Sequence, residues 1–219
     1  MTDGFLIVTL CKGNVHRSAL AAALLDQWSH WYLPPGLSGS VSVESAGFAA
    51  PVGASMGDRV LRVAAALGAD GSTHRAAQVD DRVLARADLV LVASRRQREK
   101  VLGRVPSALR RTFTIREAGR ISASLEAPPP KTIRDLQRVV GWLADSRTGA
   151  ASEAADDIID PQGLGDEAYL QMVREEVPPL AHLGGLLFGM PGADVAAYLA
   201  AAEDPGSLLP SGATAGQGE

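Results

Sequence analysis

Cys11 is the single cysteine of the chain, and it opens the stretch Cys-Lys-Gly-Asn-Val-His-Arg-Ser that closes at Ser18. Before it stands an apolar run, Phe5-Leu-Ile-Val-Thr-Leu10, and after it a run rich in alanine and leucine from Ala19 to Leu25. Such a succession reads as strand, loop and helix. A loop that ends at a helix start collects unpaired backbone N–H groups and the positive end of the helix dipole, which together hold an oxyanion and favour a thiolate. Cys11 is therefore the candidate nucleophile. Lys12, Gly13, Asn14, Val15, His16, Arg17 and Ser18 are the candidate phosphate-binding residues. Arg17 brings a guanidinium fork able to clamp two phosphoryl oxygens. Gly13 lets the backbone come close, Asn14 tolerates a left-handed conformation, and Ser18 is placed to donate a hydrogen bond to the sulfur. A bare cysteine and arginine at this spacing would mean little. The Gly-Asn pair, the serine and the strand-to-helix setting make the pattern specific.

The remaining elements must hold that loop. A helix over 18–32 is stopped by Leu33-Pro34-Pro35-Gly36, and Val41-Ser-Val-Glu-Ser45 alternates as a second strand. Val60, Leu61, Ala64 and Leu67 mark an amphipathic helix ending at Gly68. The nearly unbroken apolar run 87–93 reads as a parallel strand covered on both faces, and 111–115 as a fourth. Between them, 95–102 reads as a helix. Its basic cluster, Arg95, Arg96, Arg98, Lys100 and Arg104, is a solvated face or, on a second reading, a surface for acidic or phosphorylated partners. Ala127-Pro-Pro-Pro-Lys131 is a stiff linker, Thr132 caps a helix over 133–143, and 145–155 is polar and expected to be mobile. A helix over 167–187 is expected to kink or end at Pro178-Pro179, and a short one follows over 193–202.

This alternation gives an α/β class, an open four-stranded parallel sheet flanked by helices. With 219 residues, 46% of them hydrophobic, and a net charge of -4, the chain can build one good core plus extensions. A single domain is expected over 1–202, with an insertion at about 126–155 and a disordered tail over 203–219. No domain-sized basic patch favours nucleic acid, and no segment reads as a membrane span or signal peptide. One cysteine excludes an internal disulfide, and a reducing cytoplasm suits a thiolate.

The first motif resembles the signature of the low-molecular-weight protein tyrosine phosphatases, Cys-x-Gly-Asn-x-Cys-Arg-Ser-Pro. His16 stands where that family usually has a second cysteine and Ala19 where it has proline. Two later stretches match as well: Ser45-Ala46-Gly47 after the second strand, and His74-Arg-Ala-Ala-Gln78. The resemblance implies that Ser45 and His74 support Asn14 of the loop, and that the strand order is 2-1-3-4. It also implies a catalytic acid at Asp160, in Asp160-Pro161, beside the catalytic pair Cys11 and Arg17. Gln162 replaces the family's tyrosine after that proline, and Ala93-Ser94 replaces its Met-Asp after the third strand. The implied activity is hydrolysis of a phosphotyrosine-containing protein or small aryl phosphate through a phosphocysteine, with no cofactor and no metal. An arsenate reductase of the same fold using an external thiol, a phosphoarginine phosphatase and an inactive phosphate-binding module are the alternatives. Val15, where phosphoarginine phosphatases tend to have threonine, leans toward the tyrosine ester.

Overall fold

Alternation within the first apolar run decides how the sheet is covered. In the computed structural model, which describes residues 4–147 and 153–208, β1 (Phe5–Cys11), β2 (Val41–Gly47), β3 (Leu89–Val92) and β4 (Thr112–Thr114) pair in parallel. Their order is β2-β1-β3-β4, as the resemblance implied. Successive side chains of a strand point to opposite faces. Phe5, Ile7, Leu89, Leu91 and Phe113 thus enter the larger core, whereas Val8, Leu10, Val90 and Val92 enter a second, smaller one.

The larger core is filled by α1 (Arg17–Tyr32), α3 (Asp58–Ala66), α6 (Ile115–Ser122), α7 (Ile133–Asp145), α8 (Asp166–Phe188) and α9 (Gly192–Glu203), with a short α2 (Pro35–Ser38) beneath α1. On the opposite face lie α4 (Asp81–Arg86), α5 (Arg95–Arg104) and a 3-10 turn over Pro106–Arg111. None of the helices among the described residues is long and apolar enough to cross a membrane.

Local signals account for several ends. The Thr132 hydroxyl accepts from Asp135 N while the Asp135 carboxylate accepts from Thr132 N, a capping box that starts α7 as expected. Thr114 does the same service for α6, accepting from Glu117 N at 3.0 Å. That Thr-x-x-Glu spacing cuts the fourth strand short of the expected 111–115 and opens a helix the sequence reading passed over, as it did α4. The segment after the proline run is no loose appendage. Leu136, Val139, Val140 and Leu143 of α7 are buried in the larger core, and the Arg147 guanidinium, 4.3 Å over the Phe113 ring, pairs with the buried Glu117. The mobile stretch expected over 145–155 falls partly at 148–152, outside the described residues.

Two expectations need correction. Pro178 and Pro179 neither end nor break α8, which runs for 23 residues through both. Each proline removes a helix hydrogen bond, a cost of about 3 kcal/mol. Packing outweighs it, because Met172, Val173, Val177, Leu180, Ala181 and Leu183 on both sides of the pair are fully buried. The helix α6 also lies directly on the prolines. A β-carbon on Gly119 would stand 2.2 Å from Pro179 Cα, so only glycine allows that approach. Likewise the tail does not begin at 203: Glu203 ends α9, and a 3-10 turn over Pro205–Leu208 buries Pro205 and Leu208, the latter against the larger core. The rest of the predicted tail, 209–219, lies outside the described residues.

One buried group sits at odds with its surroundings. Glu176 of α8 is fully buried, and neither carboxyl oxygen has a hydrogen-bond partner. Burial pushes its pKa well above the ordinary carboxyl value of 4.5, against the opposing pull of Arg17 and with the repulsion of Glu175 added. The folded chain therefore keeps this proton at pH values where the unfolded chain loses it. Its contribution is undiminished below about 4.5 and declines as pH rises toward the folded value, by up to about 1.4 kcal/mol per pH unit. Glu176→Gln is expected to flatten that decline. Urea unfolding from pH 4.5 upward should show the variant gaining on the wild type as pH rises until the folded value is passed, and parallel curves throughout would refute the assignment.

Candidate active site

At the carboxyl end of β1 the chain turns through residues 11–18 into α1, and one residue sets the shape of the turn. Asn14 has φ 53°, the sole positive φ outside glycine among the described residues. Its polar groups are committed in several directions. Nδ2 donates to Ser18 Oγ at 3.0 Å and to Ser45 Oγ at 2.9 Å, while Oδ1 accepts from Ala77 N at 2.8 Å. The Asn14 carbonyl accepts from His74 Nε2 at 2.7 Å, which fixes the proton on that nitrogen. Ser45 and His74 thus both meet Asn14, from β2 and from the loop that follows α3.

Cys11 Sγ accepts from Asn14 N at 3.2 Å and lies 3.0 Å from Ser18 Oγ. Because Ser18 Oγ already accepts from Asn14, its own proton has the sulfur at 3.0 Å as its nearer acceptor, with Ala46 O farther off at 3.4 Å. The sulfur is buried at the foot of the loop, under the first turn of α1. Of the other loop residues, Lys12 is exposed at the rim, and Gly13 and Val15 offer backbone. The His16 ring turns outward, its Nε2 3.3 Å from Tyr169 OH, with the two rings edge to face. Burial holds the pKa of this imidazole below its ordinary value, against the opposing charge of Asp160. Its side chain therefore braces the loop against α8 and leaves the anion to backbone groups.

Arg17 is almost completely buried. One terminal nitrogen donates to Ile158 O at 3.1 Å, the other pairs with Asp160 at 2.6 Å, and Nε, also buried, has no hydrogen-bond partner. Asp160, 36% exposed, stands on the open side of the guanidinium. Its loop is pinned from several directions. Ile158 N donates to Ala93 O at the end of β3, Arg95 N donates to the Asp157 carboxylate, and Ile159 N donates to the Glu175 carboxylate. Arg116 reaches the Asp157 carbonyl at 2.9 Å, and Asp156 pairs with Arg120. These fasteners, Asp157, Glu175 and Arg116, escaped the sequence reading, because each acts on a segment at least 16 residues away. With Asp157 holding the start of α5, the region after β3 keeps a carboxylate anchor although Ser94 replaces the family's aspartate. Ser94 itself caps α5, accepting from Gln97 N.

Cys11, Arg17 and Asp160 meet at one end of the sheet, and Arg17 and Asp160 line a cavity of about 400 Å³ whose apolar wall is Phe48 and Ala49. Of the residues just after β2, Phe48 lines the cavity and Pro51 does not. The Gln162 side chain folds back toward Gly13, its Oε1 3.4 Å from where a β-carbon would sit.

Gly47 ends β2 directly beneath the loop. A β-carbon there would lie 2.6 Å from Lys12 O and 3.0 Å from Asn14 N, so the loop can rest on β2 only if residue 47 is glycine. Gly47→Ala is expected to keep the fold by circular dichroism while displacing the 12–14 backbone. Losing one hydrogen bond to a charged group costs about 1.5 kcal/mol, or roughly tenfold in affinity. Orthovanadate titration should show at least that loss, and unchanged binding would contradict this account of the Ser-Ala-Gly stretch.

Comparison with known proteins agrees with this geometry. Residues 6–140 match the family of low molecular weight phosphotyrosine protein phosphatases. A probable low molecular weight protein-tyrosine-phosphatase, EpsP, from Ralstonia nicotianae is 37% identical over 111 residues, covering 51% of this chain and 70% of that protein. Among solved structures, a low molecular weight protein tyrosine phosphatase from T. tengcongensis superposes with a TM-score of 0.57 at 23% identity, over 82% of this chain and 97% of the other. The YwlE arginine phosphatase from Geobacillus stearothermophilus does so with 0.56 at 24% identity, over 82% and 90%. At such identities the two structures speak for the fold alone. The family match, spanning more than half of the sequence and containing the whole 11–18 loop, shows that the chain belongs to the low molecular weight phosphotyrosine protein phosphatases.

Proposed function

We propose that the chain hydrolyses phosphotyrosine esters with Cys11 as nucleophile, Arg17 as oxyanion clamp and Asp160 as acid and base. The observation that carries this is the meeting of three features: a buried sulfur within reach of Asn14 N and Ser18 Oγ, an arginine with a spare buried N–H, and a carboxylate on that arginine's open side. The phosphoryl group enters over the loop amides and takes over part of the guanidinium now paired with Asp160. This releases the Asp160 carboxylate, which takes up a proton from solvent beside the phosphoryl charge and faces the leaving oxygen. Sulfur attacks phosphorus in line, the P–O bond to the aryl oxygen breaks, and protonated Asp160 gives that oxygen its proton. Water then attacks the phosphocysteine, loses a proton to the Asp160 carboxylate, and the P–S bond breaks to return thiolate and inorganic phosphate. Ser18 stabilises sulfur as it leaves, by its hydroxyl proton.

The Phe48 wall gives an aromatic leaving group a surface to stack on, and Val15 adds no polar group, both of which favour an aryl ester over a phosphoguanidine. A reducing cytoplasm is the compartment this lone thiolate suits.

Cys11→Ser is expected to abolish turnover of p-nitrophenyl phosphate while orthovanadate still binds, because the amides and Arg17 remain. Substantial residual turnover would overturn the covalent route.

Asp160→Ala is expected to lower kcat for phenyl phosphate by roughly 10² to 10⁴, the range for a positioned acid. The loss should be smaller for p-nitrophenyl phosphate, whose phenolate leaves with little help. Equal losses for both esters would assign Asp160 a purely structural part.

A further inference from the structure

The cavity that holds Arg17 and Asp160 continues outward between Lys12 on one side and α5 on the other. Four of the five basic residues of α5 divide into two sets. Arg98 donates to Thr112 O, and Arg104 pairs with Asp81, so these are committed to the body of the protein. Arg96 and Lys100, four residues apart on one face of α5, line the cavity instead and are exposed. Neither they nor Lys12 has a hydrogen-bonded or ion-paired partner among the described residues. Lys100 Nζ does lie 5.3 Å from the centroid of the Phe48 ring, on the same wall that would stack an aryl group. Asp160 is the one carboxylate lining this space, and it is already opposite Arg17.

Outside the phosphoryl seat, then, the mouth carries three cations and no anion to balance them. A single phosphoryl group held by the 11–18 loop and Arg17 leaves all three unmatched. Their position outside the slot means that they meet whatever flanks the phosphotyrosine. Side chains four apart on a helix are about 5–6 Å apart. Same-face side chains of an extended peptide recur about every 7 Å, two residues apart. We infer that Lys12, Arg96 and Lys100 form a subsite for an acidic protein segment, one with Asp or Glu within about two residues of the phosphotyrosine.

This inference rests on the phosphatase reading above and specifies which phosphotyrosines that site prefers. Three phosphotyrosine peptides of equal length test it, flanked by Glu, by Gln or by Lys. kcat/KM is measured at low and at moderate salt for the wild type, for Arg96→Ala/Lys100→Ala and for Arg96→Glu/Lys100→Glu. For the wild type we expect the Glu peptide to exceed the Gln peptide by about tenfold at low salt, falling as salt rises. The alanine pair should bring the two within about twofold. The glutamate pair should favour the Lys peptide, an inversion that a merely damaged protein cannot produce. A wild type that turns over Glu and Gln peptides equally, or a preference that survives both double substitutions, would overturn the subsite. Failure to turn over any peptide or p-nitrophenyl phosphate would instead overturn the phosphatase reading and the subsite with it.

Discussion

A left-handed turn at one asparagine is the constraint on which the site depends. The αL conformation costs a residue with a β-carbon about 1–2 kcal/mol, and Asn14 holds it because its side chain and carbonyl are bound from three separate segments. The turn brings its own amide to Cys11 Sγ. It also makes the loop report on distant structure: β2 supplies Ser45, the loop after α3 supplies His74 and Ala77, and α1 supplies Ser18. Any shift of these elements is felt at the sulfur. A chain that merely bound anions at a helix start would need no such bracing.

The acid side is built by a different route. Local contacts alone do not place Asp160: Gln162 N reaches its carboxylate only at 3.4 Å, and Pro161 confines just its own and the preceding backbone. The loop is instead tied to the far end of β3 through Ala93, to the start of α5 through Asp157, and to α8 through Glu175. Arg17 closes the circuit by donating to Ile158 O and pairing with Asp160. Nucleophile and acid, some 150 residues apart in the chain, are thereby referred to the same carboxyl end of the two inner strands, β1 and β3.

This difference explains what the sequence could reveal. The 11–18 loop is legible because its chemistry is local: cysteine, glycine, asparagine, arginine and serine act on groups within the same turn. The sheet is legible because buried parallel strands are apolar runs, and the run 87–93 contains β3 whole. What stayed hidden depends on contacts across the fold. Gly47 is a turn residue by sequence and a steric necessity only once Lys12 and Asn14 lie on it. Pro178 and Pro179 spell a helix break by local rule, and the buried residues around them reverse it. The basic cluster of α5 was readable as a solvated face or as a surface for acidic partners, but only the fold shows that Arg96 and Lys100 are the members turned toward the cavity. Leu208, taken as part of a tail, has no apolar periodicity around it and is held by the core alone.

Two carboxyl groups act on one guanidinium, and burial decides which of them it serves. Glu176 lies within the electrostatic reach of Arg17 on the core side, fully buried, and Asp160 touches it from the cavity side, partly in water. A charged Glu176 would neutralise Arg17 from behind and weaken its hold on a doubly charged phosphoryl group. Desolvation raises the pKa of that carboxyl and so favours its neutral form, since an ion without hydrogen-bonded partners in the interior is costlier than the neutral acid. The arginine's charge is therefore left to the cavity, where the competing anion is Asp160, a group that can be displaced. Displacement is useful in itself: the ion pair that holds the carboxylate near the loop before substrate arrives is the one that the phosphoryl group must break, so binding and the release of the acid become a single event.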